Sequence, residues 1–361
     1  MKILLAGGYH FFWYEEACAR SLESMGMEVI RFSWSRYFSG WIGRIEQRLM
    51  LPGWTMFQLE RDLLAAARFH RPDVIWIWRG MHVRAQLVRR LKQETGAVLI
   101  SYNNDDPFGP GYADRTGLLK TNIWKRFIQS IKEYDINFVF RPINVSEYQA
   151  QGAKQVEVLQ PYFIRELHRP VVLSEQEKTV YNCDLVFVGH YENDGRVEYL
   201  RALVAQGYIL RLFGNGWPAA IVREIYNADV TVVPALGEDY VKALCGAKLC
   251  LSFLSRLNRD TYTRRSFEIP ACGKVMVSER TGDLHALFRE DEEAAYFSNV
   301  EEMLTIVREL LANDNKRLAM ELSARQRSVL KAFDVDGRMK HWLETVKCHR
   351  DIQPVRAPNG E

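Results

Sequence analysis

Cys183-Asp184-Leu185-Val186-Phe187-Val188-Gly189-His190 is an apolar run of strand length that stops at a glycine, and a helical pattern over 197–206 follows it. A short continuous apolar run bounded by a turn residue reads as a strand buried on both faces, as strands of a parallel sheet are. Working outward, Tyr208-Ile209-Leu210-Arg211-Leu212-Phe213-Gly214 repeats the pattern. Further strands are expected over 249–253 and 275–278, with helices near 240–245, 267–272, 300–313 and 316–331. The same alternation runs through the first half: Lys2-Ile3-Leu4-Leu5-Ala6 closed by Gly7-Gly8, a helix over 14–25, strands at 28–32, 74–78, 98–102, 137–140 and 156–159, and helices at 59–69 and 85–94. Strand, helix, strand order predicts a parallel sheet with helices on both faces, here twice. The expected fold is α/β, with two Rossmann-like, doubly wound domains facing a central cleft.

Between 161 and 182 the periodicity fails around Pro161, Pro170 and the polar run Ser174-Glu175-Gln176-Glu177-Lys178. The expected division is therefore an N-terminal domain over 1–165, a linker over 166–182, and a C-terminal domain over 183–335. A last helix over 336–350 packs across domains, and a frayed tail covers 351–361. A length of 361 residues suits two cores.

The chain is 47% hydrophobic and 26% charged, and 48 basic against 45 acidic residues leave a net charge of +3. No dense basic stripe is present, so nucleic acid is not an expected partner. The opening apolar run is too short for a signal peptide or a membrane span, and a cytoplasmic protein is expected. Cys18, Cys183, Cys245, Cys250, Cys272 and Cys348 are spaced like neither a zinc site nor a disulfide framework. No metal and no cofactor are expected. The segment from Trp41 to Leu51 mixes apolar and basic residues; it reads first as a packed helix and second as a peripheral membrane contact.

In doubly wound sheets ligands sit beyond the carboxyl ends of the strands, which selects the candidate residues. Gly8 and His10 follow the first strand, where glycine permits a tight turn and close backbone approach. Asp105 and Asp106 follow the strand that ends near Tyr102 and are candidate bases for an acceptor hydroxyl, or else ordinary Asp-Pro turn residues. In the second half Gly189, His190 and Arg196 lie at a strand-to-helix turn, where a helix start and a cation suit a diphosphate. Gly214, Asn215 and Gly216 end the next strand beside Trp217, which either touches a ligand or packs.

Thr263-Arg264-Arg265-Ser266-Phe267-Glu268-Ile269-Pro270-Ala271-Cys272-Gly273 resembles the signature of the spore maturation protein CgeB-like family, a branch of GT-B glycosyltransferases related to the retaining glycogen-synthase-like group. The likeness continues through Glu279-Arg280-Thr281 and residues 297–304, and is looser in the first half. It implies transfer of a sugar from a nucleotide-sugar donor to an acceptor glycan, lipid or protein, without metal and with retention. It also implies that Glu268 matches the second glutamate of a Glu-x7-Glu motif that binds the donor ribose. The first glutamate's place is taken by Asp260. Arg265 is then the cation for the leaving diphosphate, with Ser266, Lys248 and Arg196 beside it. A nucleotide-sugar epimerase of the same fold, and a non-catalytic sugar-binding or assembly protein, are the alternatives.

Overall fold

The computed structural model describes residues 1–49, 53–110 and 124–352. Met50, Leu51 and most of the expected tail, 353–361, lie outside the described residues. The chain forms two compact units, Met1–Gln160 with Val335–Glu361, and Pro161–Asp334.

Along the first unit run β1 (Lys2–Gly7), α1 (Ala17–Ser24), β2 (Glu28–Ser33), α2 (Trp41–Leu49), α3 (Trp54–His70), β3 (Val74–Trp78), α4 (Ala85–Thr95), β4 (Val98–Asn103), α5 (Lys125–Ser130), β5 (Ile136–Val139), α6 (Ile143–Ala150) and β6 (Val156–Val158). The sheet order is β2-β1-β3-β4-β5-β6 with every pair parallel. All five residues of β3 are buried, Trp76 and Trp78 included. Full burial of large apolar side chains is worth about 1.5–3 kcal/mol each, so a central strand of this composition anchors the sheet.

The second unit carries α7 (Glu175–Tyr181), β7 (Cys183–Val188), α8 (Arg196–Ala205), β8 (Leu210–Phe213), α9 (Ala219–Tyr226), α10 (Glu238–Gly246), β9 (Ala247–Ser252), α11 (Arg265–Ala271), β10 (Val275–Glu279), α12 (Gly282–Leu287), β11 (Ala295–Phe297), α13 (Val300–Ala312) and α14 (Asp314–Leu330). Its sheet order is β11-β10-β9-β7-β8, again all parallel. Each sheet starts at an inner strand, steps outward once, then reverses. The reversal points lie between β1 and β3 and between β7 and β9.

The last helix, α15 (Val335–Ile352), belongs to the first unit. Trp342 stacks on Trp76 with ring centroids 4.7 Å apart, and Arg350 bonds Asp73 at 3.1 Å. Residues 166–182 differ from the expected linker in lying inside the second unit. Their polar run caps α7: Ser174 Oγ accepts from the Glu177 amide at 3.3 Å, and Glu177 Oε2 accepts from the Ser174 amide at 2.9 Å. A capping box of this kind satisfies two helix-end amides reciprocally, which explains why a polar stretch is ordered.

Candidate functional site

At the reversal point of the second sheet β7 ends at Val188 and β9 at Ser252. Arg265, in the first turn of α11, reaches across both: Nη2 donates to Phe253 O at 2.9 Å and Nη1 lies 3.5 Å from Val188 O. Its guanidinium stacks over Phe187, 5.4 Å from the ring centroid. Burial lowers its pKa against the through-space charges of Glu268 and Asp260, while its hydrogen bonds go to carbonyls and not to a carboxylate. Two carbonyls fix its orientation without neutralising it, which leaves a half-buried positive charge at the strand ends.

The surrounding backbone is drawn tight by glycine. Gly189 N donates to Phe213 O at 2.8 Å. Gly214 has φ 145°, and a Cβ there would collide with Gly189 O. Only glycine tolerates both conditions. Trp217 Nε1 donates to the same Gly189 carbonyl at 2.9 Å, and its ring packs on Tyr191 and Phe187. Trp217 therefore braces the two turns. Asn215 is exposed, and its carbonyl accepts from Tyr191 N at 3.2 Å; Gly216, with φ 74°, has open space where a Cβ would be.

Several sequence candidates occupy other positions. Arg196 is buried; its Nε donates to Asp194 Oδ1 at 2.8 Å and its Nη1 to His190 O at 2.8 Å. Asp194 also accepts from the first amide of α8 at 3.3 Å. The diphosphate seat expected beside Arg196 at the start of α8 is thus filled by the protein's own carboxylate. Lys248 is the second residue of β9 and pairs with Asp184 at 2.9 Å, at the amino ends of β7 and β9. It lies at the opposite edge of the sheet from Arg265. Ser266 is fully buried, and its hydroxyl accepts from Thr263 N at 3.1 Å, so it closes the turn into α11.

Glu268 is buried one turn beyond Arg265. Tyr240 donates to its Oε2 at 2.8 Å, and Arg264 Nε and Nη2 reach its Oε1 at 3.0 and 2.8 Å. Burial pushes its pKa up, but the charge of Arg264 and the hydrogen bonds from Arg264 and Tyr240 outweigh it, and the carboxylate is held below its ordinary range. A carboxylate offers about four acceptor positions, and three are taken here. His190 is exposed and lies 2.8 Å from Glu192, which also accepts from Ser255 Oγ at 2.8 Å. Sequence reading passed over Arg256. It is exposed in the loop after β9, near Gly195 at the start of α8, and its signal was its place just past a strand's carboxyl end.

In the first unit the reversal point is filled differently. Gly8 N and Tyr9 N donate to Glu15 Oε1 at 2.8 and 3.3 Å, so a buried carboxylate already sits on the glycine turn. His10 is exposed, 3.5 Å from Ser35 Oγ. Asp105 forms an ion pair with Arg79. Asp106 is fully buried; its Oδ1 accepts from Phe108 N at 3.0 Å and Asn144 Nδ2 at 2.9 Å. Asp106 holds the turn and is not placed to meet a substrate.

Residues 196–344 match a protein-family model described as glycosyl transferase-like. The fold is that of GT-B glycosyltransferase structures. Sucrose-phosphate synthase from Thermosynechococcus elongatus aligns with a TM-score of 0.72 at 13% identity, covering 98% of this chain and 100% of that one. HepE from Anabaena, solved with UDP-glucose, aligns at 0.63 and 14% identity, covering 96% and 100%. A Listeria monocytogenes protein assigned as a UDP-N-acetylglucosamine 2-epimerase aligns at 0.55 and 10% identity, covering 98% and 97%. A comparison with curated protein sequences gave no match.

Proposed function

We propose that this chain is a glycosyltransferase that takes a sugar from a nucleoside-diphosphate sugar bound at the β7/β9 reversal point, with Arg265 on the diphosphate. The carrying observation is a cation oriented by two strand-end carbonyls and lacking a carboxylate partner among the described residues. Breaking the anomeric bond places the electron pair on the diphosphate oxygen, and a preorganised cation there stabilises the transition state more than the ground state. The bond from the acceptor oxygen to the anomeric carbon forms as the old one breaks. Since Asp106 is buried and Asp105 is ion-paired, the proposal lets the departing diphosphate take the acceptor proton. That supports retention, as the CgeB-like resemblance implies, and a reaction without metal.

The UDP-glucose complex of HepE favours a uridine nucleotide. Titration calorimetry with UDP and UDP-glucose tests this. Binding by the wild type that weakens about 100-fold in R265A, about 2.7 kcal/mol, supports the proposal. Failure of UDP, GDP, ADP and dTDP alike to bind would overturn it. Likeness to the Listeria protein keeps epimerisation as the second reading. Incubation with donor alone separates the two, since only an epimerase changes the sugar without an acceptor.

A further inference from the structure

The first unit carries a helix that is built inside out. In α2, Gly43 and Glu46 face inward, while Trp41, Ile42 and Ile45 are 69%, 48% and 47% exposed. The inward face is fixed by two contacts. A Cβ at residue 43 would collide with Tyr37 O, so the helix sits directly on that backbone. Glu46 Oε2 accepts from Thr55 N at 3.0 Å in the first turn of α3, a charge-assisted bond at a helix start. Rolling the helix to hide its apolar side would break both. The start of α3 extends the patch, since Trp54 is 68% and Phe57 49% exposed.

The exposed charged residues of α2 have one sign. Arg44 and Arg48 are exposed on α2, and the helix's single carboxylate is the inward Glu46. On α3, Glu60 is ion-paired with Arg84, whose guanidinium stacks over Phe57, and Asp62 pairs with Arg61 at 3.0 Å. Two tryptophans and aliphatic side chains beside arginines match the depth profile of a bilayer interface, where indole rings sit at headgroup level and cations meet anionic phosphates. No helix among the described residues is long and apolar enough to cross a membrane.

We propose that the exposed face of α2 and the first turns of α3 dock this protein onto an anionic phospholipid surface, with Trp41, Ile42, Ile45, Trp54 and Phe57 entering the headgroup region and Arg44 and Arg48 facing lipid phosphates. The proposal needs nothing from the Arg265 site. Co-sedimentation with vesicles of phosphatidylcholine alone and of phosphatidylcholine with 30% phosphatidylglycerol, chosen as about a third anionic, tests it at low and high salt. The full chain should sediment with the anionic vesicles and less with the neutral ones, and lose binding as salt rises. W41S/I45S and, separately, R44E/R48E should each weaken binding at least about tenfold, with an unchanged circular dichroism spectrum and an unchanged affinity for UDP. Absence of sedimentation with anionic vesicles, or binding that neither double variant reduces, overturns the proposal. So does concentration-dependent dimerisation, abolished by W41S/I45S, in a chain that ignores both vesicles.

Discussion

The two reversal points share a strand order but hold opposite contents. Between β1 and β3 the glycine turn's amides already hold Glu15, a buried carboxylate of the chain itself. Between β7 and β9 the charge is Arg265, held by neutral carbonyls. Burial raises the pKa of Glu15 despite the amide bonds, and it lowers that of Arg265. The lesson is that a glycine turn after a strand marks a place where an anion fits, without saying whose anion it is. In the first unit the protein supplies it; in the second it supplies a cation, the charge that the proposed function sets against a diphosphate from outside.

That contrast can be broken at four points. The largest effect is expected from R196A, which would leave Asp194 buried without its cation. Loss of one partner of a buried pair costs about 3–5 kcal/mol, and urea denaturation of the second unit should register it. Acid comes next. His82 in the first unit and His168 in the second are buried neutral, with pKa values driven down by burial to about 3 and about 4. Below about pH 6.5 the unfolded chain binds protons that the native histidines refuse, so stability is complete above that pH and declines as the pH falls toward 4. The slope approaches about 1.4 kcal/mol per pH unit for each site. Urea midpoints between pH 7 and 4.5 should show the decline, and a flat profile would contradict the burial of both rings.

R265A follows, with UDP affinity down about 100-fold, or about 2.7 kcal/mol, and little change in melting temperature. E15Q is the smallest. Replacing the anion on two amides with a neutral acceptor should cost about 1–2 kcal/mol of stability and leave UDP affinity alone. If instead E15Q changes nucleotide affinity while R265A does not, the assignment of roles to the two reversal points is inverted.

Much of the framework was legible because parallel strands covered on both faces read as unbroken apolar runs, as at Val74-Ile75-Trp76-Ile77-Trp78. The strand ends, and with them the neighbourhood of Gly214, followed from that, whereas Arg265 came from the resemblance carried by residues 263–273. What escaped was side-chain direction. Asp194 folding back on Arg196 and Glu15 folding back on Gly8 are loop geometries that spacing does not encode. Lys248 was a legible error: a residue that precedes the core of its strand belongs to the amino edge, away from any ligand. The Ser174-x-x-Glu177 capping box was equally readable, and its polarity was mistaken for a linker.

The return of α15 to the first unit makes that unit discontinuous in the chain, with the second unit inserted before its final helix. During synthesis the first sheet must therefore wait, with the Trp76 side of its surface bare, until α15 leaves the ribosome. The inserted unit has every segment it needs much earlier. Vectorial synthesis thus favours completion of the second unit before the first, and a fragment ending at Gln160 would carry an uncovered aromatic surface prone to self-association.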